Sequence, residues 1–339
     1  MSIQQMRIET INSLMRGRRV LVVGGNGFIG RNCVNALVAI GARVTATGEG
    51  AQCDGVNWIG RLDMGDAFAA KCAVEGQEIV VDCIGRLGAA MSNLQPLQSL
   101  EEELRPQLNL IMACAESHAS PLLLLVSSRL VYGTPQYLPV DEKHPVQPAS
   151  IYAAHKATAE NYARIMAGSK GLRFCAFRLA NPYGPHQRRE AKSYGIINHF
   201  LQQVADGEAI NVYGSGKQAR DYIYVDDVVE AMLRCALEPR CEGKILNLGS
   251  GEALPLRTAA EIASCIAGAP PVQFLPWPQE DLIVETGNYV SDISLLREMI
   301  GEFNPISFEE GARLSIEHYR FPEERVVEPV AYLNRRSIA

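Results

Sequence analysis

The sequence predicts an α/β protein, a doubly wound parallel sheet with a smaller, discontinuous lobe on the carboxyl side of its strands. Three observations carry that expectation. Short β-branched runs alternate with helix-length amphipathic segments from residue 19 to residue 179. The first run ends in a cluster of glycines. After Asn181 the rhythm loosens, and Pro182, Gly184, Pro185, Gly195, Gly207, Gly214 and Gly216 interrupt it.

Taken in order, residues 1–17 form an N-terminal arm, a short amphipathic helix or a loose segment, to which no chemistry attaches. RVLVV at 19–23 is compact and β-branched, as expected of a strand buried on both faces. Residues 28–40 carry helical apolar spacing and stop at Gly41. Strands follow at 44–47, 78–83, 122–126 and 173–179, with helices at 104–117 and 152–166 between them. Right-handed crossovers joining such units wind helices onto both faces of one sheet. Beyond Asn181, helices are expected at 196–206, 226–237, 256–267 and 308–319. A strand at 244–249 rejoins the sheet.

Composition narrows the function. A chain of 339 residues with 47% hydrophobic and 21% charged residues has the makeup of a globular enzyme. Its net charge of −6 argues against a nucleic-acid partner, which calls for a basic excess. The N-terminus lacks the apolar core of a secretory signal, and PLLLLV at 121–126 is far too short to span a bilayer, so no membrane association is expected. Nine cysteines without a CxxC pair suggest reduced thiols in a cytoplasmic protein. The six histidines form no ligand-spaced cluster, and no metal is expected.

The glycines at 24–30, GGNGFIG, stand between the first strand and the first helix. In that context Gly24, Gly27 and Gly30 permit a tight turn, close approach of a pyrophosphate and close helix–strand packing. The helix N-terminus at Phe28 and Ile29 supplies amide donors for the phosphates. The expected architecture is therefore a Rossmann-type dinucleotide-binding domain at 18–181, with a returning segment near 222–250. A substrate lobe takes 182–221 and 251–330. An acid at the tip of the second strand usually binds the adenosine ribose. Here Gly48 occupies that position and Glu49 follows. Glu49 on the ribose favours NAD; Arg31 or Arg43 on a 2′-phosphate favours NADP; both remain open.

Tyr152 and Lys156 lie one helical turn apart on one face. An ammonium there, with the positive ring of an oxidised nicotinamide, is expected to lower the phenol from its ordinary value of about 10 and make it a usable base. Ser128 directly follows a strand, which places a hydroxyl at the carboxyl edge where open α/β sheets bind ligands.

GGNGFIG (24–30), SSRLVYG (127–133), YAAHK (152–156), RLANPYGPHQ (178–187), YGSGKQARDYIYVDD (213–227) and NLGSGE (247–252) occur in this order. Together they resemble the extended short-chain dehydrogenase/reductase family, and within it the nucleotide-sugar epimerases and dehydratases, over residues 19–319. The resemblance implies roles residue by residue. Ser128 bonds the reacting oxygen, Tyr152 is the acid/base, and Lys156 holds the nicotinamide ribose. Asp63 and Met64 contact adenine; Ile84 and Gly85 belong to the cofactor loop after the strand at 78–83. Asn181, Arg220 and Tyr222 hold the diphosphate of a nucleotide-sugar substrate. The resemblance further implies a homodimer through the helices at 104–117 and 151–166.

Departures refine the expectation. The 4,6-dehydratases of the family carry an acidic pair where this chain has Arg129 and Leu130, so elimination of water is not expected. The stretch 276–281, which matches the family's second phosphate arginine, contains none; Arg188 or Arg189 is left as the substitute. In the loop after the strand at 78–83, Arg86 faces a substrate anion or solvent. The expected activity is C4 epimerisation of a nucleotide sugar with bound NAD. An NAD(P)H-dependent keto-sugar reductase and a non-catalytic NAD(P)-binding module are the alternatives.

Overall fold

A computed structural model describes residues 11–48, 54–60, 62–189, 195–276 and 287–321. Seven strands form one sheet: β1 Arg19–Val23, β2 Arg43–Thr47, β3 Val56–Ile59, β4 Ile79–Asp82, β5 Leu122–Ser128, β6 Arg173–Leu179 and β7 Lys244–Leu248. Their spatial order is β7-β6-β5-β4-β1-β2-β3, with every neighbouring pair parallel. The chain therefore starts in the middle, winds outward to one edge, and crosses back to build the other.

Successive strand residues point to opposite faces, and both faces are covered. Val20, Val22, Leu122 and Leu124 pack beneath the helices Phe28–Ala39 and Val225–Leu237. Leu21, Val23, Leu123 and Leu125 pack against Arg105–Glu116 and Ile151–Lys170. A third cluster joins Tyr183, at the end of the short strand Asn181–Tyr183, to Phe200, Leu201, Ala260 and Leu314 from helices Ile196–Ala205, Leu256–Ala267 and Phe308–Arg320. Tyr222 and Tyr224 join it.

Two boundaries differ from expectation. Residues 11–15 are helical, and Ile11 and Met15, one turn apart, are only 5% and 0% exposed within the first cluster. This part of the arm belongs to the core. The helix Ser294–Ile300 was assigned to the lobe, yet Leu296 and Met299 pack with Leu246 on the sheet. Among the described residues no helix is long and apolar enough to cross a membrane.

Candidate active site

The glycine loop sits where β1 turns into its helix. Gly24 and Gly25 donate to Oγ1 and the carbonyl of Thr47 at 3.0 and 2.9 Å, and Gly27 donates back to the Gly24 carbonyl at 2.9 Å. A Cβ at Gly30 would lie 2.1 Å from that same carbonyl oxygen, so the turn closes only around a bare α-carbon. No side chain caps the helix that starts at Phe28, which leaves its first amides for a ligand. The loop fits a dinucleotide. Gly30→Ala is expected to open the turn and weaken NAD binding more than tenfold, as titration calorimetry will read; undiminished affinity would contradict this role for the turn.

The helix carrying Tyr152 is anchored at its start. Ser150 accepts from the Ala153 amide at 3.2 Å, Asn93 from Ile151 at 2.9 Å, and Ser92 from Tyr152 at 2.9 Å. These bonds satisfy amides that a helix N-terminus leaves open. They also fix Tyr152 relative to the segment 88–94. Ser128, at the end of β5, accepts from the Leu130 amide at 3.2 Å, and its hydroxyl lies near enough to the Tyr152 phenol to lower it. Lys156 is 4% exposed, and its Nζ donates to the carbonyls of Ile84 at 2.7 Å and Val126 at 2.9 Å. Nζ stands 5.7 Å from the Tyr152 ring centroid. A Cβ at Gly85 would lie 3.8 Å from Tyr152 Cε2 and 3.9 Å from Nζ, so the loop after β4 borders the pair.

The electrostatics add burial to the expectation. Burial pushes the Tyr152 phenol above its ordinary value; Lys156 pulls it down, the Glu103 carboxylate pushes it up, and the Ser128 hydroxyl lowers it. Lys156 acts in the expected direction, against burial. Desolvation outweighs one neighbouring cation.

Glu103 went unnoticed in the sequence. It follows two other glutamates and looks like part of a solvated helix face. A π-helical turn at Leu100–Leu104 instead accompanies its burial, at 2% exposed. Its Oε1 accepts from the amides of Arg86 and Leu87 at 2.6 and 2.8 Å, and its Oε2 accepts from Ser99 Oγ at 2.7 Å. Ser99 Oγ lies 3.1 Å from His155 Nδ1. One carboxylate thus ties the loop after β4 to the helix of Tyr152 and Lys156. Arg86 itself is exposed and pairs with Glu102 at 3.1 Å.

The other candidates divide. Asn181 accepts from Arg129 Nε at 3.2 Å and donates to the Asp221 carbonyl at 2.8 Å. Arg129 is 7% exposed and lies 4.9 Å from the Tyr289 ring. Arg220 is 9% exposed and donates to the carbonyls of Ala219 and Gly287. Asp221 serves instead as a clamp, its carboxylate accepting from Ser250, Gly251 and Ser291. Tyr222 packs its ring in the lobe. It is 6% exposed, belongs to the third cluster, and stands 5.6 Å from the Phe308 ring. Asp63 is exposed and accepts from the Gly65 amide at 2.8 Å, whereas Met64 is buried. Glu49 and most of 276–281 lie outside the described residues.

Comparison with known proteins gives a concordant result. A family model described as the NAD dependent epimerase/dehydratase family matches residues 20–249. The UDP-glucuronic acid decarboxylase 1 of Danio rerio is 28% identical over 89% of this chain and 72% of its own. The UDP-glucose 4-epimerase of Thermus thermophilus, solved with NAD, is 29% identical, with a TM-score of 0.79 over 89% of this chain and 99% of its own. A UDP-N-acetylglucosamine 4-epimerase from Methanobrevibacter ruminantium, solved with UDP-N-acetylmuramic acid, is 26% identical, with a TM-score of 0.82 over 92% of this chain and 100% of its own.

Proposed function

The chain belongs to the NAD dependent epimerase/dehydratase family, and on that premise we propose that it is a nucleotide-sugar epimerase acting at C4 through a transient 4-keto sugar. The observation that carries the proposal is the meeting of Ser128, Tyr152 and Lys156 beside a loop shaped for a dinucleotide. NAD is the cofactor of this family, and it would supply a reversible acceptor for the hydride of the sugar carbon.

Tyr152 takes the hydroxyl proton as that carbon is oxidised and gives it back as the carbon is reduced on its other face. Ser128 bonds the same oxygen and keeps the phenol aimed at it. An ammonium has three N–H groups. Lys156 gives two to the carbonyls of Ile84 and Val126, and the third is assigned to the nicotinamide ribose. Asn181 and Arg220 are assigned to the diphosphate of the substrate, and Asp63 and Met64 to the adenine end. Residues 18–181 and 222–250 are assigned to the dinucleotide and the remaining lobe to the substrate.

Arg129 and Leu130 favour epimerisation over elimination. Loss of water needs an acid and a base beside the phenol. The chain places a guanidinium and an isobutyl group at these positions, and Arg129 is turned toward Asn181 and Tyr289. One observation favours a reductase that consumes NADPH on a keto sugar: Gly48 stands where an acid would hold the ribose of NAD. Two measurements separate the readings. An epimerase is expected to release bound NAD on denaturation and to turn over without added cofactor. Consumption of NADPH in proportion to product would overturn it.

Glu103→Gln carries a prediction with a definite sign. Removing a carboxylate that raises the Tyr152 phenol makes the phenolate easier to form. The pH profile of turnover is expected to shift its phenol-controlled limb to lower pH. A profile that stays in place in a folded variant would show that this field does not reach the phenol. We also propose a homodimer through helices Arg105–Glu116 and Ile151–Lys170; Tyr162 and Ile165 on the latter are 39% and 59% exposed. Light scattering that returns a monomer mass would refute it.

A further inference from the structure

β4 ends in an acid that the fold itself does not require. Ile79, Val80 and Val81 are buried, as a strand covered on both faces demands, and Asp82 follows them at 0% exposed. An apolar residue there would escape the cost of taking a carboxylate out of water. Burial pushes the Asp82 carboxyl above its usual range, while Lys156, the Ile84 amide and Gln107 pull it down. The ammonium of the candidate site is within its electrostatic reach.

The carboxylate shapes the loop that seats Lys156. Its Oδ1 accepts from the Ile84 amide at 2.9 Å, the local bond by which an aspartate turns its own chain. The carbonyl of that same Ile84 accepts from Lys156 Nζ at 2.7 Å. Further along, Glu103 takes the amides of Arg86 and Leu87. Two buried carboxylates thus hold the N–H side of the loop, and Ile84 presents its carbonyl to the ammonium.

The second carboxyl oxygen is held from behind. Gln107, buried on the helix Arg105–Glu116, donates Nε2 to Asp82 Oδ2 at 3.0 Å. The Oε1 of Gln107 is buried too and, among the described residues, meets no donor. Turned over, that amide would accept a proton carried by Asp82, so Oδ1 keeps its place in either protonation state.

We propose that Asp82 is a positioning residue for Lys156: it fixes the Ile84 peptide, whose carbonyl seats the ammonium beside Tyr152. The consequence for the phenol has a definite sign. Against the burial that raises it, Lys156 pulls the phenol down. An ammonium that drifts from its seat therefore leaves the phenol higher. The inference rests on the reading of Tyr152 as the acid/base.

The pH profile of turnover, taken on the full chain with NAD, compares Asp82→Ala and Asp82→Asn with the parent. Asp82→Ala is expected to move the phenol-controlled limb up by about one pH unit and to lower turnover at neutral pH about tenfold. Asp82→Asn keeps an oxygen for the Ile84 amide and offers Gln107 Oε1 a donor, so its limb is expected to stay with the parent's. A merely structural residue would lower the denaturation midpoint and leave the limb alone. A folded Asp82→Ala whose limb stays in place overturns the proposal, as does an equal shift in Asp82→Asn. Where Asp82→Ala does not fold, Asp82→Val, which suits a strand, takes its place. If neither folds, Asp82→Asn decides alone, and a displaced limb overturns the proposal. Ultraviolet titration of the phenol, as a difference from Tyr152→Phe, reads the same shift without turnover. A parent that shows this shift between variants but turns over no nucleotide sugar loses the epimerase assignment and keeps the role of Asp82.

Discussion

Tyr152→Phe is expected to leave a folded protein that still binds its dinucleotide but turns over about 10²–10⁴-fold more slowly. The substitution removes one oxygen and keeps the ring that packs against the loop at Gly85. What it deletes is the proton carrier beside the Ser128 hydroxyl. Lys156 holds its place through the carbonyls of Ile84 and Val126, not through the phenol, so its position survives the change. Steady-state kinetics and NAD calorimetry on the same preparation make the test. Turnover above a tenth of the parent's would remove Tyr152 from the proton path. A biological activity untouched by the change, with cofactor still bound, would favour the non-catalytic alternative.

The sheet and the triad were legible in the sequence because both rest on local, periodic signals. β1 and β5 are continuous apolar runs, and a strand covered on both faces needs nothing else. Tyr152 and Lys156 are one turn apart on a helix, so their shared face follows from spacing alone. Features set by irregular backbone or by distant partners were not legible. Glu103 is buried at a π-helical turn, which no 3.6-residue pattern announces. The packing of the Tyr222 ring against Phe308, far along the chain, is likewise set by the fold. The direction of the Tyr152 shift depends on burial, which a sequence names only after the fold is known. Ile11 and Met15 carry an i, i+4 signal too short to stand against the flanking polar residues.

Glu160→Ala is expected to cost about 3–5 kcal/mol of stability, because it strands a buried guanidinium. Glu160 and Arg178 are 3% and 6% exposed. Arg178 grips the carboxylate through Nε at 3.0 and 3.2 Å and through Nη2 at 2.7 Å, and Ser127 Oγ donates to it at 2.5 Å. The guanidinium lies 4.8 Å from the Tyr132 ring, whose hydroxyl donates to Asn247 at 2.6 Å. The network therefore ties β5, β6 and β7 to the helix of Tyr152 directly behind Ser128. Removing both charges is a different experiment. In Glu160→Ala, Arg178→Met no ion is left unpaired, and much of the lost stability should return. Urea unfolding of the two single variants and the double variant measures the coupling. Additive losses would mean that the pair is solvated rather than buried. The folded double variant should still turn over more slowly than the parent, since Ser127 loses the carboxylate that steadies the strand end beside the reacting oxygen.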